Sequence, residues 1–259
     1  MIVFEHIPKT AGTTLKVIFR NSFGRADCDS NIVKKEVFTN RDLEIAGRVF
    51  PSVKSISGHN LRNPVENLEG EGRFYITFLR DPVVRTVSHY QDQRLRGNCK
   101  LDFEEWFREE SFHDLQVKHI AGEADLAKAK ELLKNSYALV GMTEQFGLSL
   151  DLLRLITPYP LNTDYKRHVV ASDNSIKNSI LEDPLKLELI REGNRLDLEL
   201  YSYVKEEIWK PLLAKRGPEL DRLSPVNTST QNRSTGSYRL NRFQNKTLYK
   251  ICLTLTGAR

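Results

Sequence analysis

The most constraining feature of this sequence is a junction that occurs twice. A short apolar run ends in a tight turn, and a stretch with helical periodicity follows at once. In the first copy, Ile2 to His6 reads as a buried strand. A Pro- and Gly-containing loop follows, and a helix runs from Gly12 to Phe23 with Leu15, Val17, Ile18, Phe19 and Phe23 as its apolar residues. In the second copy, Arg73 to Arg80 (RFYITFLR) is rich in aromatic and β-branched residues, as a strand requires. Asp81 then supplies an N-cap and Pro82 a first helical residue, for a helix to about Arg96 that stops near Gly97.

The same signals recur elsewhere. Val53–Ser57 and Tyr137–Gly141 are further strands. Helices are expected at 102–109, 113–121, 124–135 and Thr143–Ile156, with Thr143 as a cap. One long helix or two shorter ones should run from Pro184 to about Leu213, with Gly193 as the break. Strands alternating with helices imply an α/β fold with a central, mainly parallel sheet.

Composition narrows the class. Of 259 residues, 39% are hydrophobic and 28% charged, which fits one sizeable globular domain. No run of 18 or more apolar residues occurs, so no transmembrane helix is expected. Met1 leads straight into Ile2-Val3-Phe4 without a basic-then-apolar leader, so the expected location is cytoplasmic. Cys28, Cys99 and Cys252 are dispersed and form no CxxC pair; they read as free thiols, and no zinc site is expected.

The net charge of +5 is unevenly placed. Seven of the 39 basic residues lie in 222–259, where there is no acid, leaving 32 against 34 acids before it. The chain therefore divides into a near-neutral body, 1–221, and a basic tail, 222–259. Within the tail, Ser224–Ser237 has a linker composition. Tyr238–Thr256 has the pattern of a basic amphipathic helix, which would either pack on the body or touch an anionic membrane surface. No nucleic-acid partner is expected.

The first junction, His6-Ile7-Pro8-Lys9-Thr10-Ala11-Gly12-Thr13-Thr14-Leu15, has the residues of an anion cradle. A helix N-terminus offers unpaired N–H groups and partial positive charge. Gly12 permits close backbone approach, Thr10, Thr13 and Thr14 add hydroxyls, and Lys9 adds a full charge. A helix after a Thr-rich turn, with Lys9 merely solvated, is the plainer alternative. The Walker A pattern is absent, because Thr13 rather than Lys follows Gly12. In the second junction Arg80 stands at the strand end and Ser88 two turns into the helix, a forked cation and a hydroxyl suited to phosphate. Asp81 reads as a cap, and Arg85 as a surface or ion-pair residue.

Taken together, HIPKTAGTTL resembles the 5′-phosphosulfate loop, and YITFLRDPVVRTVSHY the 3′-phosphate motif, of sulfotransferases that use PAPS (3′-phosphoadenosine 5′-phosphosulfate). The likeness is to the carbohydrate 2-O/6-O branch and its bacterial relatives. Weaker echoes follow at Leu139–Phe146 and Asn194–Tyr201. The resemblance implies a P-loop-like, three-layer fold with helices on both faces of the sheet. It implies PAPS as donor, PAP as product and no metal. Lys9, Thr10, Gly12, Thr13 and Thr14 would hold the 5′-phosphosulfate, and Arg80 and Ser88 the 3′-phosphate. The acceptor would be a hydroxyl compound, expected to be a carbohydrate, in a cleft shaped by residues 60–72 and 91–135.

Such a transfer needs a base for the acceptor hydroxyl, and histidine titrates in the right range. Of six histidines, His59 follows a strand in Ser57-Gly58-His59-Asn60, at the strand ends where open α/β sheets bind ligands. A GH pair there also resembles the family's general base; a loop histidine held by a structural hydrogen bond is the alternative. His6 is expected to pack beneath the first loop and orient it, His89 to be structural, and His113, His119 and His168 to lie on the surface. Lys9 would stabilise the leaving phosphate oxygen. A P-loop kinase and a non-catalytic nucleotide- or glycan-binding module are the competing functions.

Overall fold

The computed structural model describes residues 1–50, 52–163, 174–223 and 247. Its centre is a five-stranded parallel sheet of β1 (Ile2–Glu5), β2 (Asp27–Asp29), β3 (Ser55–Gly58), β4 (Phe74–Leu79) and β5 (Tyr137–Met142), in the order β2-β3-β1-β4-β5. Strand β1 lies in the middle and is buried along its whole length, as a continuous apolar run flanked on both sides must be. Glu5 pairs in register with Gly58 of β3 and Thr77 of β4, so these three strand ends share one edge. The residues that leave that edge are those of the two junctions and of the Gly58-His59 pair.

Among the described residues, twelve α-helices accompany the sheet: α1 (Gly12–Phe23), α2 (Asn40–Gly47), α3 (Pro64–Asn67), α4 (Pro82–Leu95), α5 (Phe103–Phe107), α6 (Leu115–Ala121), α7 (Leu126–Asn135), α8 (Phe146–Ile156), α9 (Ser175–Leu181), α10 (Pro184–Gly193), α11 (Arg195–Tyr203) and α12 (Lys210–Leu220). Alternation along β1 assigns helices to both faces. Phe4 turns to one side, where it meets Phe19 of α1. Glu5 turns to the other, towards His119 of α6. The result is the three-layer α/β arrangement expected from the sequence. A second apolar cluster of Val87, Tyr90, Phe103, Trp106, Phe107, Ile180 and Ile190 seats α5, α9 and α10 on α4.

Differences from the sequence reading are local. Strand β3 begins at Ser55 rather than Val53, because its register is set by Ile2, which pairs with Ser55. Thr143 does not cap a helix: 143–145 form a 3₁₀ turn, α8 starts at Phe146, and the Ser149 hydroxyl accepts from the Met142 N–H instead. The helical stretch after Pro184 breaks at Gly193 as expected, but runs on past Leu213 through a π-helical turn, Val204–Trp209, into α12. The linker Ser224–Ser237, Cys252, His168 and, except for Thr247, the amphipathic segment Tyr238–Thr256 lie outside the described residues. No helix among the described residues is long and apolar enough to cross a membrane.

Candidate active site

The first junction is built to leave its helix mouth open. The N-cap position of α1 is Ala11, which has no side chain able to accept from the first amides. Lys9 and Ala11 hold left-handed backbone conformations, with φ of 72° and 61°. Neither residue adopts that region without cost, and such strain gathers where a loop is shaped for a ligand. The fully buried Thr10 donates its hydroxyl to the Ile7 carbonyl at 2.9 Å, bracing the turn from within. Thr13 is exposed and Thr14 half-buried on the first turn of α1. Gly12 faces the His6 ring: a Cβ there would fall 1.8 Å from His6 Cδ2. The glycine is therefore demanded by the packing of His6 beneath the loop, the role expected of that histidine.

The second junction is closed. Asp81 accepts from the Val84 N–H at 3.0 Å and fills the mouth of α4 with a carboxylate. The Asp81 N–H in turn donates to Glu144 Oε1 at 3.0 Å. An anion at this junction must be met by side chains rather than by the helix terminus. Arg80 is half-buried, and its Nη1 donates to the Lys9 carbonyl at 3.0 Å. Burial pulls its pKa below the ordinary value while Glu144 and Asp81 push it up; a guanidinium stays charged throughout. Ser88 is half-buried on α4, one turn before Asp92 and on the same face. Lys9 Nζ lies 3.2 Å from Asp92 Oδ1, and Arg96 Nε 3.0 Å from Asp92 Oδ2. Burial would raise the Asp92 pKa, but Lys9 and Arg96 outweigh it and hold the carboxyl below its usual range. Lys9 and α4 are thus already in contact, which brings Lys9, Gly12, Arg80 and Ser88 around one corner of the sheet edge.

His59 stands at the same edge, exposed to solvent and with its ring centroid 4.1 Å from that of His6. Its Nδ1 is 2.7 Å from the His6 carbonyl oxygen. A carbonyl only accepts, so Nδ1 carries the proton and Nε2 is left with a lone pair. Burial lowers the His59 pKa from its ordinary value, against the raising effect of the carbonyl contact. Gly58 before it is again a packing requirement, since a Cβ would fall 1.9 Å from the Ser30 hydroxyl. Ser30 also bonds Asn60, the residue after His59.

Two sequence expectations are corrected. Arg85 is not a surface residue: it is fully buried, donates from Nη2 to the Thr86 hydroxyl and the Phe112 carbonyl, and faces Asp197. The helical period places it on the inner side of α4, where the α10–α11 corner covers it. His119 is also buried, on α6 beside Glu5. There Tyr137 donates to Glu5, and burial pushes the Glu5 pKa up to about 8. His89 is structural as expected, wedged edge-on between Trp106 and Phe112, with burial lowering its pKa to about 4. His113 is half-buried and bonded to the Phe107 carbonyl. Cys28 and Cys99 are free thiols. Among the described residues no group of three or more His, Cys, Asp or Glu is placed to hold a metal ion.

Sequence reasoning missed the supporting residues Asp92 and Gln116, and reached Glu144 and Asp197 only as members of the two weaker echoes. Asp92 carried a signal, being four residues beyond Ser88. The echo at Asn194–Tyr201 also proves to be structural support: Asn194 donates to Thr86, Asp197 accepts from two amides of α6, and Tyr201 donates to Glu144.

A parallel α/β sheet thus gathers Lys9 and Arg80 and the His59 ring at its carboxyl edge, where open α/β sheets bind ligands. A family model described as the sulfotransferase family matches residues 1–204. The chain belongs to that family, which places it among the transferases that move a sulfuryl group to a hydroxyl-bearing acceptor. Family members generally take that group from PAPS. A search of curated proteins returns no match.

Proposed function

We propose that this protein transfers a sulfuryl group from PAPS to a hydroxyl of a carbohydrate-class acceptor and releases PAP, with His59 as general base. The observation that carries the reading is the Nδ1–H contact of His59 to the His6 carbonyl. It fixes the base in the tautomer a proton acceptor needs, at the root of the loop that would hold the donor. The open mouth of α1, the strained backbone at Lys9 and Ala11, and the Arg80 guanidinium on the Lys9 carbonyl all fit a donor bearing phosphates at both ends.

When bound, PAPS supplies an activated sulfuryl group on a phosphate leaving group. The residues of this chain do the rest. Gly12, Thr13 and Thr14 offer amides and hydroxyls to the 5′ end. Lys9 sets its charge where the leaving oxygen becomes negative. Arg80 and Ser88 bind the 3′-phosphate. His59 Nε2 takes the acceptor proton as the new bond forms, and the Nδ1–H contact keeps the ring oriented. Positioning and electrostatics provide most of the acceleration, as in related in-line displacements. The carbohydrate class is supported by the likeness of the two loop motifs alone.

Replacing His59 with Ala tests the proposal. Turnover of PAPS should fall by about 10²–10⁴-fold, with PAP affinity within threefold of wild type; undiminished turnover would remove His59 from the role. The pH profile gives an independent check. Because the His59 pKa is lowered, the acid limb of kcat/KM should lie below pH 6.5, with activity rising through it as the ring loses its proton. Stabilisation by ATP–Mg²⁺ but not by PAP would point instead to a kinase.

A further inference from the structure

Strand β4 ends at Leu79, whose partner in β5 is Met142. The next residue, Arg80, has left the sheet and pairs with no strand among the described residues. Both of its backbone groups are nevertheless bonded, and to a single side chain. The Arg80 N–H donates to Gln116 Oε1 at 3.0 Å, and Gln116 Nε2 donates to the Arg80 carbonyl at 3.0 Å. The carboxamide thus imitates a neighbouring strand for one residue beyond the sheet. Gln116 is fully buried, so water does not compete for these bonds. Asn is too short to span the same gap, and Glu lacks the donor that the carbonyl requires.

Gln116 is itself fixed. Its own N–H and that of Val117 donate to the two oxygens of Asp197 at 3.0 and 2.8 Å. Asp197 is fully buried at the start of α11, and its N–H donates back to Asp114 Oδ1 at 3.0 Å, just before α6. Helices α6 and α11 therefore tie each other's first turns, and the product of that tie is a carboxamide held against the Arg80 backbone. From that backbone the Arg80 guanidinium reaches the Lys9 carbonyl.

We infer that Gln116 is a positioning residue for donor binding: it fixes the Arg80 peptide so that the guanidinium is aimed at the donor's phosphate and at the Lys9 loop. The inference rests on the reading of Arg80 as a phosphate ligand, so the test separates the two. PAP binding by the full chain is measured by titration calorimetry for wild type, Arg80→Ala, Gln116→Met and the double variant, with thermal unfolding alongside.

Gln116→Met keeps the volume and removes both bonds. It should weaken PAP about tenfold, and raise the donor KM by a larger factor than it lowers kcat. In the Arg80→Ala background the same change should add less than a twofold loss, because Gln116 acts through Arg80. Gln116→Glu, which retains the acceptor for the N–H, should fall between the two and replaces the Met variant if that one unfolds below assay temperature. Wild-type PAP affinity in Gln116→Met, or a full tenfold loss on top of Arg80→Ala, overturns the positioning role and leaves the phosphate role of Arg80 intact. Failure of wild type to bind PAP, or unaltered binding by Arg80→Ala, overturns the phosphate reading and the inference with it.

Discussion

The two strand-to-helix junctions look alike in sequence and solve opposite problems. The β1–α1 junction leaves its helix without a side-chain cap and strains two residues into the left-handed region. The β4–α4 junction satisfies its own helix with Asp81, engages the Asp81 N–H with Glu144, and clamps the Arg80 peptide with Gln116. One region leaves backbone polarity that, under the proposed function, a ligand would use. The other uses its backbone internally and presents only side chains. An uncapped terminus costs stability, and here it lies where an anion would restore the balance. A capped terminus is stable in itself and holds an arginine still.

This contrast can be broken most severely at Lys9. Lys9→Ala removes the only full charge of the open loop and should lower kcat by about 10²–10³-fold; a loss below tenfold in single-turnover assays would move the electrostatic burden elsewhere. Next comes a transplant of the closed design. Ala11→Asp would give α1 the carboxylate cap that α4 has, at a left-handed position such as the one from which Asn63 caps α3. PAP affinity should drop more than about tenfold as the cap occupies the amides and repels phosphate, while the melting temperature holds or rises. Unchanged PAP affinity would show that the α1 amides are not the donor site. A smaller, opposite effect is expected from Asp92→Asn. Removing the carboxylate that holds Lys9 should tighten PAP about threefold to tenfold at low salt, with the gain shrinking as salt rises. The mildest change is Asp81→Ala, which should cost about 1 kcal/mol of stability as a lost cap, read by denaturant unfolding, with little effect at the open loop.

Both junctions were legible because their signals are local. Asp81-Pro82 marks the start of α4, and the apolar spacing of Leu15, Ile18 and Phe19 marks α1. The sheet's middle strands declared themselves through aromatic and β-branched content. Strand β2 did not: Asp-Cys-Asp has no strand signature, and its polar residues are buried because Ser55 and Lys16 answer them. Helix α9 was equally silent, since a short helix docked on α4 owes its stability to tertiary packing. In the site, His59 could be found from its position after a strand. Gln116 could not, and Asp197 was reached only as part of an echo without a role, because the bonds that give them meaning span 36 and 81 positions of the chain. The burial of Arg85 and His119 was invisible for the same reason: a charged residue's partner is set by topology, not by its neighbours in sequence.

The contact between His59 and the His6 carbonyl has a consequence for anyone wishing to move this chemistry to another scaffold. The histidine is not a detachable part. Its protonation pattern is dictated by a main-chain oxygen on a different strand, and the ring attached to that same residue fills the space that Gly12 vacates. A graft carrying the loop at 6–14 without the strand that ends in Gly58 would bring the proposed donor loop without the proposed base. A graft of the strand alone would bring an imidazole free to flip. The smallest unit that keeps the ring's orientation is the pair of adjacent parallel strands with both of their outgoing turns.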